Sequence, residues 1–518
     1  MLVRMAWLLA ALAMAFVGLA NCGLAFVFPL EIEAREGTSW LHVMALEAKV
    51  SLYDHSQVAF LNMNHGPLDP ILKYAIHALL PFLQPAMVTR VFVLLLPFGL
   101  FAAFVVATKR RWLAAFAAAG ALYLFLLGLV PFHFLIGRSD PAALFFLALM
   151  LAVLETSGRR NRGAADRFRG EFLGAGVLGG AVFLINWRYL PYAVAGGLWI
   201  LAEAAAGEAR LRQRAARALG WSGIFALGWL MLFGGVLLTV FHGDFALYRA
   251  HFFGFFLPDR DSLLWLADTP WFEFPVELFD AHRLFHLLLL LAAGLILAWP
   301  RDGRRRTSFL AWWLPALAAL WLVTNYSYTL NRAGGGFYYF APFYLFAGFI
   351  LLRGLPWDRL QPPGLALGAL ALVLASLPWA ALWRQAAVMR ENLGPAQAFV
   401  RQVRNLSGAT GVSSEDLYFF ETRYHGEVVD MGDIVYQDFT AGSYGGLFRD
   451  NAIVRRYFAR LQAAPPRYVL RGNDVRVVSP VLDELIGKFY QPVLSAPSHL
   501  WANGGSGAVL YQLRSTLR

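Results

Sequence analysis

The sequence predicts a polytopic α-helical membrane protein with about 11 transmembrane helices and a small C-terminal α/β extracytoplasmic domain. Three observations predict it. Of 518 residues, 58% are hydrophobic and 15% charged, whereas soluble domains carry about 25% charged residues. Apolar runs of about 20 residues recur, each long enough to cross a bilayer as a helix. They are continuous rather than alternating, which selects helices over a barrel. Finally, Lys and Arg crowd into short connectors that alternate with acidic ones, the signature of cytoplasmic and outer loops.

The elements follow in order. The first apolar run, 5–28, exceeds the roughly 7–15 residues of a signal-peptide core. Asn21 before Cys22 is not the small residue of a lipoprotein cleavage site, so this run is read as a retained span. Cys22 is the only cysteine, which excludes an intramolecular disulfide and a thiolate-rich metal site. Further spans are expected at 88–108, 112–131, 141–157, 171–186, 188–203, 219–241, 283–299, 308–324, 337–352 and 363–383. Kept as one helix, 171–203 would be about 50 Å long against a ~30 Å core. Splitting it at Asn186–Pro191 yields two short spans and returns the Arg210–Arg217 connector to the basic side.

The net charge of +11 is therefore a topology signal and points to no nucleic-acid partner. Basic connectors at Lys109–Arg111, Arg159–Arg169, Arg210–Arg217 and Arg301–Arg306 lie inside, and the acidic 242–282 loop lies outside. The expected setting is a bacterial inner membrane, with the N-terminus cytoplasmic and the C-terminal domain periplasmic. Residues 1–384 form the membrane domain, including a first outer loop at 29–87, and 385–518 form the outer domain. Strand-like runs at Asp416–Phe420, Arg467–Arg471 and Ala508–Gln512, with helical patterns at 395–405 and 452–462, give that domain its α/β reading. The outer face also collects the turn Phe132–Asp140 and the segment Asn325–Gly336.

The order of these pieces resembles the GT-C superfamily of integral-membrane glycosyltransferases, among them the protein mannosyltransferase and aminoarabinose transferase group. An acidic segment follows the first span at Arg35-Glu36-Gly37. Tyr53-Asp54 leads to His65-Gly66-Pro67-Leu68, similar to the family's HGPL or PPL stretch. Gly137-Arg138-Ser139-Asp140-Pro141 is like the family's Arg-x-Asp motif. Gly174–Pro191 resembles its glycine-rich hairpin, Gly334–Pro342 its late turn, and Val412–Asp433 the start of its outer domain. Where many relatives carry an Asp-Glu pair in the first loop, this chain has Arg35-Glu36.

The resemblance implies transfer of a sugar from a polyprenyl-phosphate donor to a glycan, lipid or protein acceptor on the outer face, by inverting displacement. Such a reaction needs a carboxylate to take the acceptor's proton and fixed guanidinium charge for the departing phosphate. Glu36 is the expected base, with Glu33 and Asp54 as rivals. Arg138, Arg188, Arg332 and His65 are expected to hold the phosphate. Asp54, Asp69 and Asp140 would orient sugar hydroxyls or a divalent metal (Mg or Mn), which the acids permit but no ligand spacing demands.

Plainer readings compete at several positions. Glu31 and Glu47 are read as solvated. Asp69 before Pro70 is a common turn pair, and Asp140 before Pro141 a helix-start signal. Trp265, Trp271 and Phe272 fit an interfacial belt. His133, His251 and His286 are too scattered to be read as ligands. An alternative function is a lipid-linked sugar transporter or flippase, which would show repeat symmetry between two halves; another is envelope assembly of the O-antigen polymerase or ligase type.

Overall fold

The computed structural model describes residues 2–32, 35–49, 66–160, 170–205, 211–246, 248, 278, 283–298, 309–330, 336–355, 373–414, 420, 459, 462–472, 486–501 and 507–514. Apolar helices occupy ten of the expected spans: α1 (Leu2–Val27), α5 (Val91–Ala107), α6 (Trp112–Leu129), α7 (Ser139–Arg160), α8 (Gly170–Ile185), α9 (Leu190–Ala205), α10 (Leu211–Val240), α11 (Arg283–Ala298), α12 (Leu314–Leu330) and α13 (Ala341–Gly354). Between α1 and α5 the chain folds into α2 (Arg35–Glu47), α3 (Leu68–Leu79) and the short α4 (Pro85–Thr89). The expected span at 363–383 lies in part outside the described residues; from Trp379 to Ser407 the chain is the single helix α14.

The split of 171–203 is present. α8 stops at Ile185, a 3-10 turn covers Trp187–Tyr189, and α9 starts at Leu190. The break has a local cause: the Asn186 side chain accepts a hydrogen bond from the Arg188 N–H at 3.2 Å, a cap that competes with helix continuation. Pro191 then suits the first turn of α9, where its missing N–H leaves no bond unmade.

α7 lies at the centre, packed against α5, α8, α9 and α13, and its Ala142, Ala143, Leu144, Leu147 and Leu151 are fully buried. α8 and α10 cross closely because Gly176 and Gly228 present no side chain; a Cβ at Gly176 would lie 2.0 Å from the Phe225 carbonyl oxygen. Outward-facing leucines such as Leu9 and Leu12 on α1, Leu230 and Leu238 on α10, and Leu290 on α11 leave an apolar perimeter suited to lipid. At the ends of α7, α9 and α13 away from Asp140, Arg353 joins Glu155 at 2.6 Å and Glu203, beneath the Trp199 ring. This ties three helices together with groups that would be unfavourable in hydrocarbon unpaired.

One segment expected on the outer face differs from expectation. Asn325–Leu330, read as the start of a connector, continues α12. Thr324 and Asn325 tolerate helix there because they are buried against protein, and the Tyr192 and Thr324 hydroxyls meet across α9 and α12.

The C-terminal region contains a four-stranded sheet of β1 (Ser413–Ser414), β2 (Tyr468–Gly472), β3 (Tyr490–Ala496) and β4 (Ala508–Leu513), in the order β1-β2-β4-β3. β1 and β2 are parallel and the other pairs antiparallel, with Leu470 opposite Leu510. The strands expected at 467–471 and 508–512 are therefore present. Of 416–420 only Phe420 is among the described residues. The 395–405 helix is part of α14, which also carries the chain across position 384/385, and the 452–462 pattern lies mostly outside the described residues.

Candidate active site

The site is assembled from the ends of α1, α5, α7, α8, α9 and α13 and from the helices between α1 and α5. Its scaffold begins with Arg90, wholly buried between α4 and α5. The guanidinium donates to the carbonyls of Ala25 (2.5 Å), Phe28 (2.7 Å) and Leu30 (2.6 Å), at and just beyond the end of α1. Its remaining donors form a fork on Glu36: Nε to Oε1 at 2.8 Å and Nη2 to Oε2 at 2.6 Å. Glu36 is itself fully buried in the first turn of α2. It also accepts from the Ile32 N–H at 2.7 Å and from the Gly137 N–H. Each Glu36 oxygen therefore takes two hydrogen bonds, so the carboxylate expected to remove a proton is instead enclosed by donors.

The carbonyl of the same Gly137 accepts from Lys73 Nζ at 2.7 Å. Lys73, on α3 and fully buried, also donates to Ser39 Oγ at 2.8 Å and to Asp69 Oδ2 at 2.7 Å. Burial pushes the Asp69 carboxyl above its usual range; Lys73 opposes the shift and nearby Asp140 adds to it. Burial, aided by Lys73, likewise pushes the His42 imidazole down to about 3, so this ring is neutral at physiological pH.

Beyond Gly137 the chain enters α7 through Arg138, Ser139 and Asp140, all buried. Asp140 accepts from Asn186 Nδ2 at 3.1 Å and from the Tyr189 hydroxyl at 3.3 Å, and lies 3.3 Å from His133 Nε2. The His133 ring stacks on Tyr338, centroids 3.9 Å apart, and the Tyr338 hydroxyl donates to that of Tyr339 at 3.0 Å. Arg138 lies over the Tyr338 ring at 5.7 Å and Arg188 over the Tyr339 ring at 4.8 Å, with Arg188 Nη1 donating to the Tyr338 hydroxyl at 3.5 Å. Arg138 is near enough to Arg188 to repel it, and Asp140 near enough to attract it. Two guanidinium groups, a carboxylate, an imidazole and three phenols from 133–140, 186–189 and 336–340 thus share one partly enclosed polar cluster.

Of the residues singled out in the sequence, the structure brings Arg138, Asp140 and Arg188 together, and places Glu36 and Asp69 in the scaffold beneath them. Glu33, Asp54, His65 and Arg332 lie outside the described residues. The turn after His65 is anchored: Gly66 N donates to the Ile185 carbonyl at 2.8 Å, and a Cβ there would lie 1.8 Å from the Leu184 carbonyl oxygen, so only glycine fits. Among the described residues no three His, Cys, Asp or Glu side chains gather as a metal site.

Four residues were missed. Arg90 and Lys73 had legible signals, a charge at the edge of an apolar run and an i, i+4 partner for Asp69. His133 looked isolated because its partner stacking comes from residue 338. Glu31, read as solvated, is wholly buried at the end of α1, and neither carboxyl oxygen makes a hydrogen bond of ordinary geometry. Burial pushes this carboxyl well above its usual range; the main chain of Glu31 and Phe420 opposes the shift, and Glu36 adds to it. A carboxyl raised in the fold adds stability below its unfolded pKa and loses it as pH rises toward the folded value, by up to about 1.4 kcal/mol per pH unit. Glu31→Gln is therefore expected to match the wild type in thermal stability at acid pH and to exceed it increasingly from about pH 5 upward. Parallel melting curves across pH, measured in detergent, would contradict this.

No family model matches the chain, and no curated protein matches it. Among solved structures, ArnT from Cupriavidus metallidurans in the apo state is similar over 98% of this chain and 98% of its own, at 13% identity and a TM-score of 0.51. The same protein bound to undecaprenyl phosphate aligns over 97% of this chain and 98% of its own, at 13% identity and a TM-score of 0.47. Identity this low speaks of the fold alone. The succession of membrane helices and the likeness along nearly the whole chain show that this polytopic membrane protein has the fold of apo ArnT.

Proposed function

We propose that the protein is a membrane glycosyltransferase that moves a sugar from a polyprenyl-phosphate donor to an acceptor on the extracytoplasmic face, by a single inverting displacement. The observation that carries this reading is the convergence of Arg138 and Arg188 with Asp140, His133, Tyr338 and Tyr339 at one end of the helix bundle. Paired guanidinium groups suit a departing phosphate, to which each can offer a planar fork of donors. An Asp and stacked phenols beside them suit sugar hydroxyls.

In the reaction, the acceptor oxygen bonds to the anomeric carbon as the bond from that carbon to the phosphate oxygen breaks. The acceptor's proton passes to a carboxylate, and polyprenyl phosphate departs with the electron pair. Arg138 and Arg188, joined by Arg332 and His65, hold the phosphate; Asp140 orients the sugar. Glu36, with both oxygens engaged by Arg90 and main-chain donors, holds the scaffold, and proton acceptance falls to Asp54 or Glu33. Asp69 serves through its pairing with Lys73. The acceptor is a glycan, a lipid or a protein side chain.

Purified protein in proteoliposomes, given radiolabelled polyprenyl-phosphate sugar and an envelope extract, tests the reading. Transfer of label to an acceptor with release of polyprenyl phosphate is the expected result. Label crossing the bilayer with the lipid–sugar bond intact would favour a flippase, and transfer of a preassembled polymer would favour a ligase.

A further inference from the structure

Gly137 is held from both sides by buried charge. Its N–H donates to Glu36, which is locked by the Arg90 fork, and its carbonyl accepts from Lys73 at 2.7 Å. Both charged residues belong to the first outer loop, Glu36 on α2 and Lys73 on α3, while Gly137 immediately precedes Arg138 and Asp140. The position admits nothing larger: a Cβ on Gly137 would lie 2.8 Å from both the Cβ and the carbonyl oxygen of Thr89. Lys73 has no donor left for a ligand, because Ser39, Asp69 and Gly137 use all three. Glu36 likewise has no oxygen left unengaged.

We propose that Lys73 and Glu36 are positioning residues: by clamping the two peptide units that meet at Gly137 they fix where Arg138 and Asp140 enter the site, so the first outer loop acts on the donor phosphate through the 137–140 turn. The inference rests on the reading of Arg138 as a phosphate ligand and deepens it. One charge-assisted bond on each of the two peptide units that meet at Gly137 restrains the φ and ψ between them more tightly than neutral bonds do. Displacing a phosphate-holding group by about 1 Å can lower the rate by about 10²-fold. The clamp also explains why acids and a lysine in a loop distant in sequence are buried without touching the Arg138–Arg188 cluster.

Two readouts test it on the full-length protein in detergent. Lys73→Met breaks one side of the clamp but leaves Asp69 buried without its cation, so Asp69→Asn/Lys73→Met, which removes both charges, is the second variant. Hydrogen–deuterium exchange should rise selectively in peptides covering 130–140 in both variants, with the melting temperature of the double variant near that of the wild type. Unchanged protection there, or a loss spread evenly over all helices, would overturn the clamp. The second readout is affinity for undecaprenyl phosphate. The double variant should bind about tenfold more weakly, yet add little further loss in an Arg138→Ala background, because both act through one contact. Full additivity would overturn the coupling to Arg138. Wild-type affinity in Arg138→Ala alone would count against the phosphate-ligand reading itself, while the exchange experiment still decides the clamp.

Discussion

Arg188→Ala is expected to reduce kcat/KM for a polyprenyl-phosphate sugar by roughly 10²–10³-fold while leaving the protein folded, the scale seen when one preorganised donor to a developing anion is removed. Arg188 is suited to this because its position is set before substrate arrives. The Asn186 cap fixes its backbone, the Tyr339 ring lies 4.8 Å beneath the guanidinium, and Tyr338 accepts one of its N–H groups. The α8–α9 break, moreover, places it in the turn between two helices and not in the middle of one long span. Arg188→Lys should recover little, since an ammonium restores the charge but neither the planar fork nor the ring stacking. Release of polyprenyl phosphate by the purified variants measures both effects. A folded Arg188→Ala enzyme with unimpaired kcat/KM would remove this residue from the phosphate site.

Arg90→Met should produce the largest loss of stability in the chain, about 3–5 kcal/mol, the range found when one partner of a buried ion pair is removed. Five acceptor contacts disappear at once: three carbonyls at the end of α1 and both oxygens of Glu36. None of these groups can turn to water, since Glu36 and Leu30 are wholly buried. Adding Glu36→Gln to Arg90→Met removes the stranded charge and should restore part of the loss. Thermal unfolding in detergent checks both variants. A single variant as stable as the wild type would mean that water or another cation reaches Glu36.

Much of the membrane architecture was legible because lipid imposes a one-dimensional rule: a span must be apolar and about 20 residues long. That rule places α1, α5, α6 and α7, and it divides α8 from α9 because the unbroken run is too long for the bilayer. It fails at Asn325–Leu330, which stays helical; at the start of that stretch Thr324 meets Tyr192 of α9 and Asn325 is buried. In the site, Arg138, Asp140 and Arg188 were visible as charges at span ends. The partners of Glu36 and Asp69 were not. An acid in an outer loop reads the same whether it faces solvent, substrate or a buried cation, and only the position of Arg90 or Lys73 distinguishes the cases. Glu31 illustrates the point from the other direction, a residue read as solvated that lies buried beside the Glu36–Arg90 pair.

By itself, then, the amino-acid order determined the polytopic helical class, the positions of the helices and the set of charged residues at their ends, because hydrophobic length and charge are properties of contiguous sequence. Tertiary structure alone decided which charges meet. It turned Glu36 inward to Arg90, held Gly137 between that pair and Lys73, and gathered Arg138, Arg188, His133 and Tyr338 across separations of up to about 200 residues. Such pairings depend on how helices pack in three dimensions, and in a low-dielectric interior a buried charge is tolerated only where a partner, however remote in the chain, comes to meet it.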